Sequence, residues 1–138
     1  INSSDFLSVS VSFGKKNWFA EEISIHFGSK TVDLDTALQS NQQNVVVSLF
    51  PPAVKPKNKF GMDEKTVDSL QKLLQKKNVL LYLFGNPYVL DILELPPHAS
   101  VVLAYQDFEA FQKVAFAHFS GKIKAKGQLP IQLKTFRP

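Results

Sequence analysis

Residues 79–87 read Val-Leu-Leu-Tyr-Leu-Phe-Gly-Asn-Pro, an apolar run that ends abruptly in a turn. Such a run is typical of a parallel strand that is covered on both faces by helices. Gly85 permits a sharp turn, Asn86 can cap a helix, and Pro87 suits the first helical position. The stretch therefore predicts a buried central strand that passes directly into a short helix ending near Glu94.

Two further apolar runs flank this strand in the sequence. Asn44–Phe50 is stopped by Pro51 and Pro52, and Ser100–Tyr105 is the third buried strand that we expect. Between the first and second runs, a loop rich in lysine and proline leads to Asp63, which is placed to cap a helix. That helix has apolar residues at spacings of three and four, the pattern of one buried face: Val67, Leu70, Leu73 and Leu74.

The N-terminal part predicts two strand–helix units. Phe6–Phe13 alternates apolar and polar residues as a half-buried strand does. A helix over Lys15–His26 follows, with Gly28 as its C-cap. Thr31–Leu34 then predicts a short strand, and Asp35 or Thr36 caps a helix that extends to about Gln42.

The C-terminal part predicts a last helix and an edge strand. Asp107 caps the helix and Gly121 ends it. Its expected buried face consists of Phe108, Phe111, Val114, Ala115 and Phe119. Gly127–Leu133 predicts a final strand, which Pro130 confines to an edge of the sheet or to a bulge.

Strands that alternate with helices favour one architecture over the whole chain. We expect residues 1–138 to form a single α/β domain, a three-layer α/β/α sandwich. Its sheet is expected to be mostly parallel, doubly wound and flavodoxin-like, with five to six strands, the final one at an edge.

Composition excludes several classes of protein. There is no cysteine to form a disulfide or a metal–thiolate site, and no apolar run approaches the ~18 residues of a membrane span. The net charge is +4, but Arg137 is the single arginine and the lysines are dispersed. Because arginine is the usual reader of phosphates and guanines, we expect no nucleic-acid partner. A solvated surface explains the lysines best, with weak contact to an anionic surface as the alternative.

No motif identifies a catalytic, metal or cofactor site. The three histidines are far apart and lack the spacing of metal ligands: His26, His98 and His118. The carboxylates that could serve acid–base chemistry stand where helices begin, and acidic residues are favoured there anyway: Asp63, Glu64, Asp107 and Glu109. Glycine-rich phosphate loops and the nucleophile-elbow motif are both missing from the sequence.

Three short motifs carry a family resemblance. Residues 84–88 read F-G-N-P-Y, residues 104–107 read A-Y-Q-D, and residues 127–130 read G-Q-L-P. In this order they resemble the C-terminal α/β domain of glycoside hydrolase family 3, in its bacterial β-N-acetylglucosaminidase-like (β-N-acetylhexosaminidase) branch. The resemblance covers residues 45–133, and residues 1–44 fit in outline. Lys59 interrupts the family's N-F-G segment, and Ser120 separates a phenylalanine and a glycine that are usually adjacent.

The resemblance implies an enzyme larger than this chain. The family's catalytic aspartate lies on an N-terminal (β/α)8 barrel, and in this branch a barrel histidine–aspartate pair acts as acid and base. In the glucosidase branch the C-terminal domain lends a glutamate, but no glutamate here lies in a matching loop. The resemblance thus implies an accessory domain, inactive alone, and no catalytic residue or cofactor in this chain.

The expected role of such a domain is to pack on the barrel and shape one wall of the glycan cleft. The candidate wall segments are Pro51–Gly61 and the turn at Asn86–Tyr88, at the predicted carboxyl edge of the sheet. The candidate residues are Asn58, Phe60, Asn86 and Tyr88. For the parent enzyme, the resemblance suggests the periplasm or the cell envelope.

Two other functions stay open from the sequence. One is a stand-alone module that binds a glycan or a protein. The other is a flavodoxin-like enzyme with a small cofactor, which the missing phosphate loop disfavours. The chain begins with Ile1 and its single methionine is Met62, so we expect it to be a piece of a longer protein.

Overall fold

The structure, a computed structural model, describes residues 6–126. Its sheet has five strands, all parallel, in the order β2-β1-β3-β4-β5. The strands are β1 (Leu7–Val11), β2 (Thr31–Val32), β3 (Asn44–Leu49), β4 (Asn78–Leu83) and β5 (Ser100–Leu103). The predicted α/β sandwich is confirmed, whereas the expected strand over Gly127–Leu133 lies outside the described residues.

Helices cover both faces of the sheet. They are α1 (Trp18–Phe27), α2 (Leu34–Gln39), α3 (Lys57–Phe60), α4 (Glu64–Lys76), a 3-10 helix (Pro87–Asp91) and α5 (Glu109–Lys126). α1 and α5 pack together on one face, and α2 and α4 pack together on the other. Among the helices of the described part, none combines the length and apolar character that a bilayer crossing requires.

The two sides of the sheet carry cores of different chemistry. Alternate residues of β3 divide between them, since Val45, Val47 and Leu49 point toward α2 and α4 while Val46 and Phe50 point toward α1 and α5. The α4 side is almost entirely aliphatic. The α1 side is aromatic, with fully buried rings from helices and strands alike: Phe6, Phe19, Phe50, Tyr82, Phe84 and Phe119.

The last helix differs from its prediction in two ways. It continues through Gly121, which is not left-handed, to Lys126. Its buried face contains Ala115 and Phe119 as expected, but also Gln112. The other three residues of the expected apolar face are exposed: Phe108, Phe111 and Val114. Gln112, which bonds backbone groups in the interior, shares the buried face with Ala115 and Phe119 at spacings of three and four, so Phe111 and Val114 fall outside that face. Phe108 precedes the helix.

Smaller differences concern the ends of elements. Asp33, and neither Asp35 nor Thr36, caps α2, because its carboxylate accepts a hydrogen bond from the Thr36 backbone amide at 2.9 Å. The helix ends at Gln39, before the expected Gln42. The 3-10 helix ends at Asp91, three residues short of its prediction.

Candidate functional site

The carboxyl edge of the sheet is where ligands bind in open α/β folds. Neighbouring strands β1 and β3 are followed by connections that leave in opposite directions, so their loops flank the topological switch point. The loops after β1, β3, β4 and β5 all emerge at this edge. We call the surface that they form the carboxyl edge.

Lys15 lies across the switch point. Its Nζ donates a hydrogen bond to the Pro51 carbonyl at 3.0 Å and forms an ion pair with the Asp107 carboxylate at 2.8 Å. The three residues belong to the loops after β1, β3 and β5. The lysine side chain therefore joins these loops and occupies the crevice in which a flavodoxin-like fold would hold a cofactor.

A polar network fixes the residues around Lys15. The Asn17 side-chain amide donates to the hydroxyls of Ser10 and Ser48, each at 2.8 Å, and its oxygen caps α1 at the Ala20 amide. These bonds hold the β1 loop against the sheet.

Gln112 of α5 extends the network. Its oxygen accepts a hydrogen bond from the Phe19 amide at 2.9 Å, and its nitrogen donates to the carbonyls of Lys16 and Asp107. These hydrogen bonds connect α5 to α1, to the β1 loop and to the β5 loop.

The two predicted wall segments meet in the structure. Asn86 donates from Nδ2 to the Val54 carbonyl at 3.0 Å and accepts at Oδ1 from the Tyr88 amide at 2.9 Å. One side chain thus joins the β3 loop to the β4 turn. The Tyr88 ring projects from this junction and is exposed.

Asn58 and Phe60 lie in α3, which is a left-handed turn for most of its length. Asn58, Lys59 and Phe60 have φ of 56°, 53° and 58°, and Gly61 has φ of 82°. Asn58 is exposed, whereas the Phe60 ring is buried in the aliphatic core. Phe60 therefore anchors the loop beneath its surface, and Asn58 is the member of this pair that faces solvent.

Exposed aromatic rings are the main chemical feature of the carboxyl edge. Phe13 follows β1, Tyr88 follows β4, and Tyr105 and Phe108 follow β5, with exposed fractions of 39%, 63%, 53% and 62%. The sequence pattern predicts all of these except Tyr88 to lie in buried strands or on a buried helix face. The available signal was their position, since each lies at or just beyond the carboxyl end of a strand.

Backbone strain is concentrated at the same edge. Within the described residues, the non-glycine residues with positive φ are Phe13, Asn58, Lys59, Phe60 and Tyr105, all in carboxyl-edge loops. A left-handed conformation costs a non-glycine residue roughly 1–2 kcal/mol. Strain of this kind is common at functional surfaces.

The histidines are engaged in separate places. His26 is 3.3 Å from Glu22 on α1, His98 contacts the Leu74 carbonyl, and the ring of His118 is 3.0 Å from the Tyr82 hydroxyl. Burial raises the pKa of Tyr82. Within residues 6–126, no group of histidine and acidic side chains is arranged to hold a metal ion.

The four carboxylates considered from the sequence also lie apart from any shared site. Glu64 is 3.8 Å from Lys59, and Glu109 is 3.3 Å from Lys113. Asp107 is paired with Lys15. Asp63 stands at the N-cap of α4, where its contact with Thr66 lowers its pKa. These groups stabilise loops and helix ends, and the edge offers aromatic contact in place of a carboxylate pair.

Comparison with known proteins gives no matching family model, no matching curated protein and no matching solved structure. The geometry of the carboxyl edge and the motifs in the sequence are the features that bear on the function.

Proposed function

We propose that this chain is the accessory C-terminal α/β domain of a bacterial family 3 glycoside hydrolase of the β-N-acetylhexosaminidase type. The carboxyl edge packs against the catalytic barrel and forms one wall of the cleft for N-acetylglucosamine-containing glycans. The observation that carries the proposal is the concentration of exposed aromatic rings on this edge: Phe13, Tyr88, Tyr105 and Phe108.

Aromatic residues are enriched in the buried centres of protein interfaces, because they bring large contact area at little entropic cost. Phe13 and Tyr105 are exposed on left-handed backbone, so the chain bears strain at two of the four rings. Contacts between these rings and a partner would offset the strain. The edge therefore has the character of a docking surface.

The wall of the cleft is assigned to the junction between the β3 loop and the β4 turn. The Asn86 side chain bonds both the Val54 carbonyl and the Tyr88 amide, so it joins the two segments. F-G-N-P-Y, the motif that resembles the family, contains both Asn86 and Tyr88. In this proposal Asn86 positions the turn, and Tyr88 contacts the glycan.

Catalysis is assigned to the barrel. A retaining glycosidase needs two carboxyl groups about 5 Å apart. On this edge Asp107 is neutralised by Lys15, and the nearby acidic side chains support helix ends. The chain alone is expected to be inactive.

A stand-alone binding module for a glycan or a protein is the second candidate, because the same exposed rings would serve it. The cofactor enzyme is less well supported, since Lys15 lies across the crevice at the switch point. The accessory domain and the stand-alone module differ in whether the gene also encodes a catalytic barrel.

The first test compares the whole gene product with the 138-residue chain. Both are assayed with 4-nitrophenyl N-acetyl-β-D-glucosaminide, and the whole product is expected to release nitrophenol while the chain alone does not. Turnover by the chain alone would contradict the proposal. So would a gene product that has no barrel-sized region of roughly 250 residues beside this domain.

The second test examines docking in the whole gene product. Tyr105→Ser with Phe108→Ser removes two edge rings outside the cleft wall, and the matched control, Ile25→Ser with Val114→Ser, removes apolar groups that are 71% and 70% exposed on helices. The edge variant is expected to split a single calorimetric unfolding transition into two, because the domains no longer stabilise each other. The control is expected to keep one transition. The same outcome for both variants would overturn the docking assignment.

A further inference from the structure

A cavity of about 380 Å3, lined by polar and apolar atoms in similar measure, opens at the carboxyl ends of β1 and β2. Its walls come from the β1 loop, the start of α2 and the first turns of α4, and they include Ser12, Phe13, Asp35, Lys65 and Ser69. It is separated from the Asn86 junction by the β3 loop, so it is a different place from the proposed cleft wall. The volume lies within the range of roughly 300–1,000 Å3 that is common for small-molecule sites.

The polar groups of this cavity are only partly used by the fold. The Asp33 carboxylate is committed to the Thr36 amide. By contrast, the side chains of Asp35 on α2 and Ser69 on α4 make no hydrogen bond with another residue of the described chain. Lys65 is exposed beside them. The cavity thus offers a carboxylate acceptor, an ammonium donor and a hydroxyl that can do either.

Phe13 supplies an apolar wall next to these groups. It lines the cavity, is 39% exposed and has φ of 50°, whereas the alternating pattern predicts it on the buried face of the strand. A flat ring beside hydrogen-bonding groups matches a ligand with an apolar face and a polar rim. A pyranose has this shape, because its C–H groups lie on one face and its hydroxyls radiate outward.

Other ligand classes fit the cavity less well. Two carboxylates, Asp33 and Asp35, face one ammonium, Lys65, so a phosphate would meet net repulsion. An apolar ligand would desolvate the carboxylates without replacing their hydrogen bonds. The hydroxyls of a neutral polyol can both donate to the Asp35 carboxylate and accept from the Lys65 ammonium.

We infer that this cavity binds a neutral pyranose, stacked on Phe13 and hydrogen-bonded to Asp35 and Ser69. The choice of a sugar over other neutral polyols rests on the proposed function, whereas the site itself rests on the cavity. Such a site would hold a glycan residue beyond the one that is cleaved, on the edge that faces the barrel.

The test is an amide-detected NMR titration of the 138-residue chain with methyl N-acetyl-β-D-glucosaminide, with myo-inositol as the polyol comparison. Saturable shifts are expected at Ser12, Phe13, Asp35 and Ser69, with millimolar affinity for the glycoside. Phe13→Gly keeps the left-handed backbone without strain and is expected to weaken binding about tenfold by removing the stacked ring. The matched control is Phe111→Ala, a ring of similar exposure (41%) on α5, and it should bind normally.

Three results would overturn the inference. The first is the absence of saturable shifts up to about 100 mM glycoside, a concentration well above a millimolar dissociation constant. The second is a set of shifts centred on Tyr88 and Tyr105, and the third is unchanged affinity in Phe13→Gly. If Phe13→Gly does not fold, Asp35→Asn is the test variant, because asparagine has the shape of aspartate and the position is exposed. This variant is expected to bind the glycoside several-fold more weakly, and unchanged affinity would overturn the inference. If myo-inositol binds as tightly as the glycoside, the site accepts polyols in general, and the assignment to a sugar is overturned.

The outcome separates from that of the proposed function. An active gene product whose domain shows no shifts would overturn this site alone. A chain that binds the glycoside but has no barrel beside it would overturn the accessory-domain proposal and leave the site standing.

Discussion

Lys77 shows how far a residue's role can depart from its place in a sequence pattern. Its position beside Lys76 at the end of α4 is typical of a cation that interacts with the helix dipole. Instead its side chain is buried, 4% exposed as a whole residue, and its ammonium donates to the carbonyls of Ser40 and Gln42 at 2.6 Å each. Because Ser40 is the C-cap of α2, Lys77 caps a neighbouring helix. No spacing rule distinguishes it from Lys76, since the difference arises only from tertiary packing.

Lys77→Met is expected to lower the free energy of unfolding by about 2–3 kcal/mol, because it removes charge-assisted hydrogen bonds from carbonyls that the fold has partly desolvated. Lys76→Met, one residue earlier and exposed, is the matched control and should change stability by less than about 0.5 kcal/mol. Urea unfolding followed by circular dichroism measures both. Equal effects for the two variants would show that the buried contacts contribute nothing.

Among the elements, those with one unambiguous periodicity were predictable. β3 and β4 came from continuous apolar runs, and α4 came from apolar residues every three or four positions, all of which are buried. α5 was not predictable in the same way. Its sequence carries two overlapping apolar stripes, and only the tertiary partners of Gln112 decide which one faces the sheet.

Gly121 lies inside α5 in the structure, whereas the sequence predicts it as the C-cap. The two positions predict opposite changes in the free energy of unfolding when Gly121 is replaced by alanine. Glycine inside a helix is less stable than alanine by roughly 1 kcal/mol, whereas alanine at a left-handed C-cap is strained. A Cβ at Gly121 meets no atom within 4 Å. Gly121→Ala is therefore expected to raise the free energy of unfolding by about 0.5–1 kcal/mol in a urea titration. A loss of similar size would show that the helix ends there, as the sequence suggested.

The carboxylates at the N-caps of α2 and α4 make the stability of the protein depend on pH. The Thr36 backbone amide lowers the pKa of Asp33, and the Thr66 side chain lowers the pKa of Asp63, both from an ordinary value of 3.8. Since each folded pKa is depressed, the stabilisation is present above about pH 4 and is lost as the pH falls through the folded values.

The measurement is the thermal midpoint between pH 6 and pH 2.5. The double variant Asp33→Asn with Asp63→Asn is expected to lose less of its midpoint over this range than the parent chain. Asp68→Asn, an exposed change in the middle of α4, serves as the control and should follow the parent. Parallel curves for all three proteins would contradict the assignment.

At the scale of the whole molecule, the sequence located the candidate surface better than it described its chemistry. Parallel strands with crossover helices place their loops at one edge, so the β3 loop and the Asn86–Tyr88 turn could be expected to be neighbours. The hydrogen bond from Asn86 to the Val54 carbonyl could not be expected, nor could the exposure of Phe13 and Tyr105. An aromatic residue at a strand end has the same pattern whether its ring turns into the core or away from it, and here a left-handed backbone turns it away.

Tyr105 allows strain and docking to be separated across the molecule. It has φ of 68° and is 53% exposed, so its ring contributes little to the core while its backbone carries a cost. Glycine relieves that cost and alanine does not, whereas both remove the ring. Tyr105→Gly is therefore expected to be more stable than Tyr105→Ala by about 0.5–1 kcal/mol in the isolated chain, with the unfolded-state entropy of glycine offsetting part of the 1–2 kcal/mol of relieved strain. In the whole gene product both variants should weaken the coupling between domains equally, as judged by calorimetry. If alanine equals glycine in stability, the backbone at this position is not strained, and if either variant keeps full coupling, the ring is not part of the docking surface.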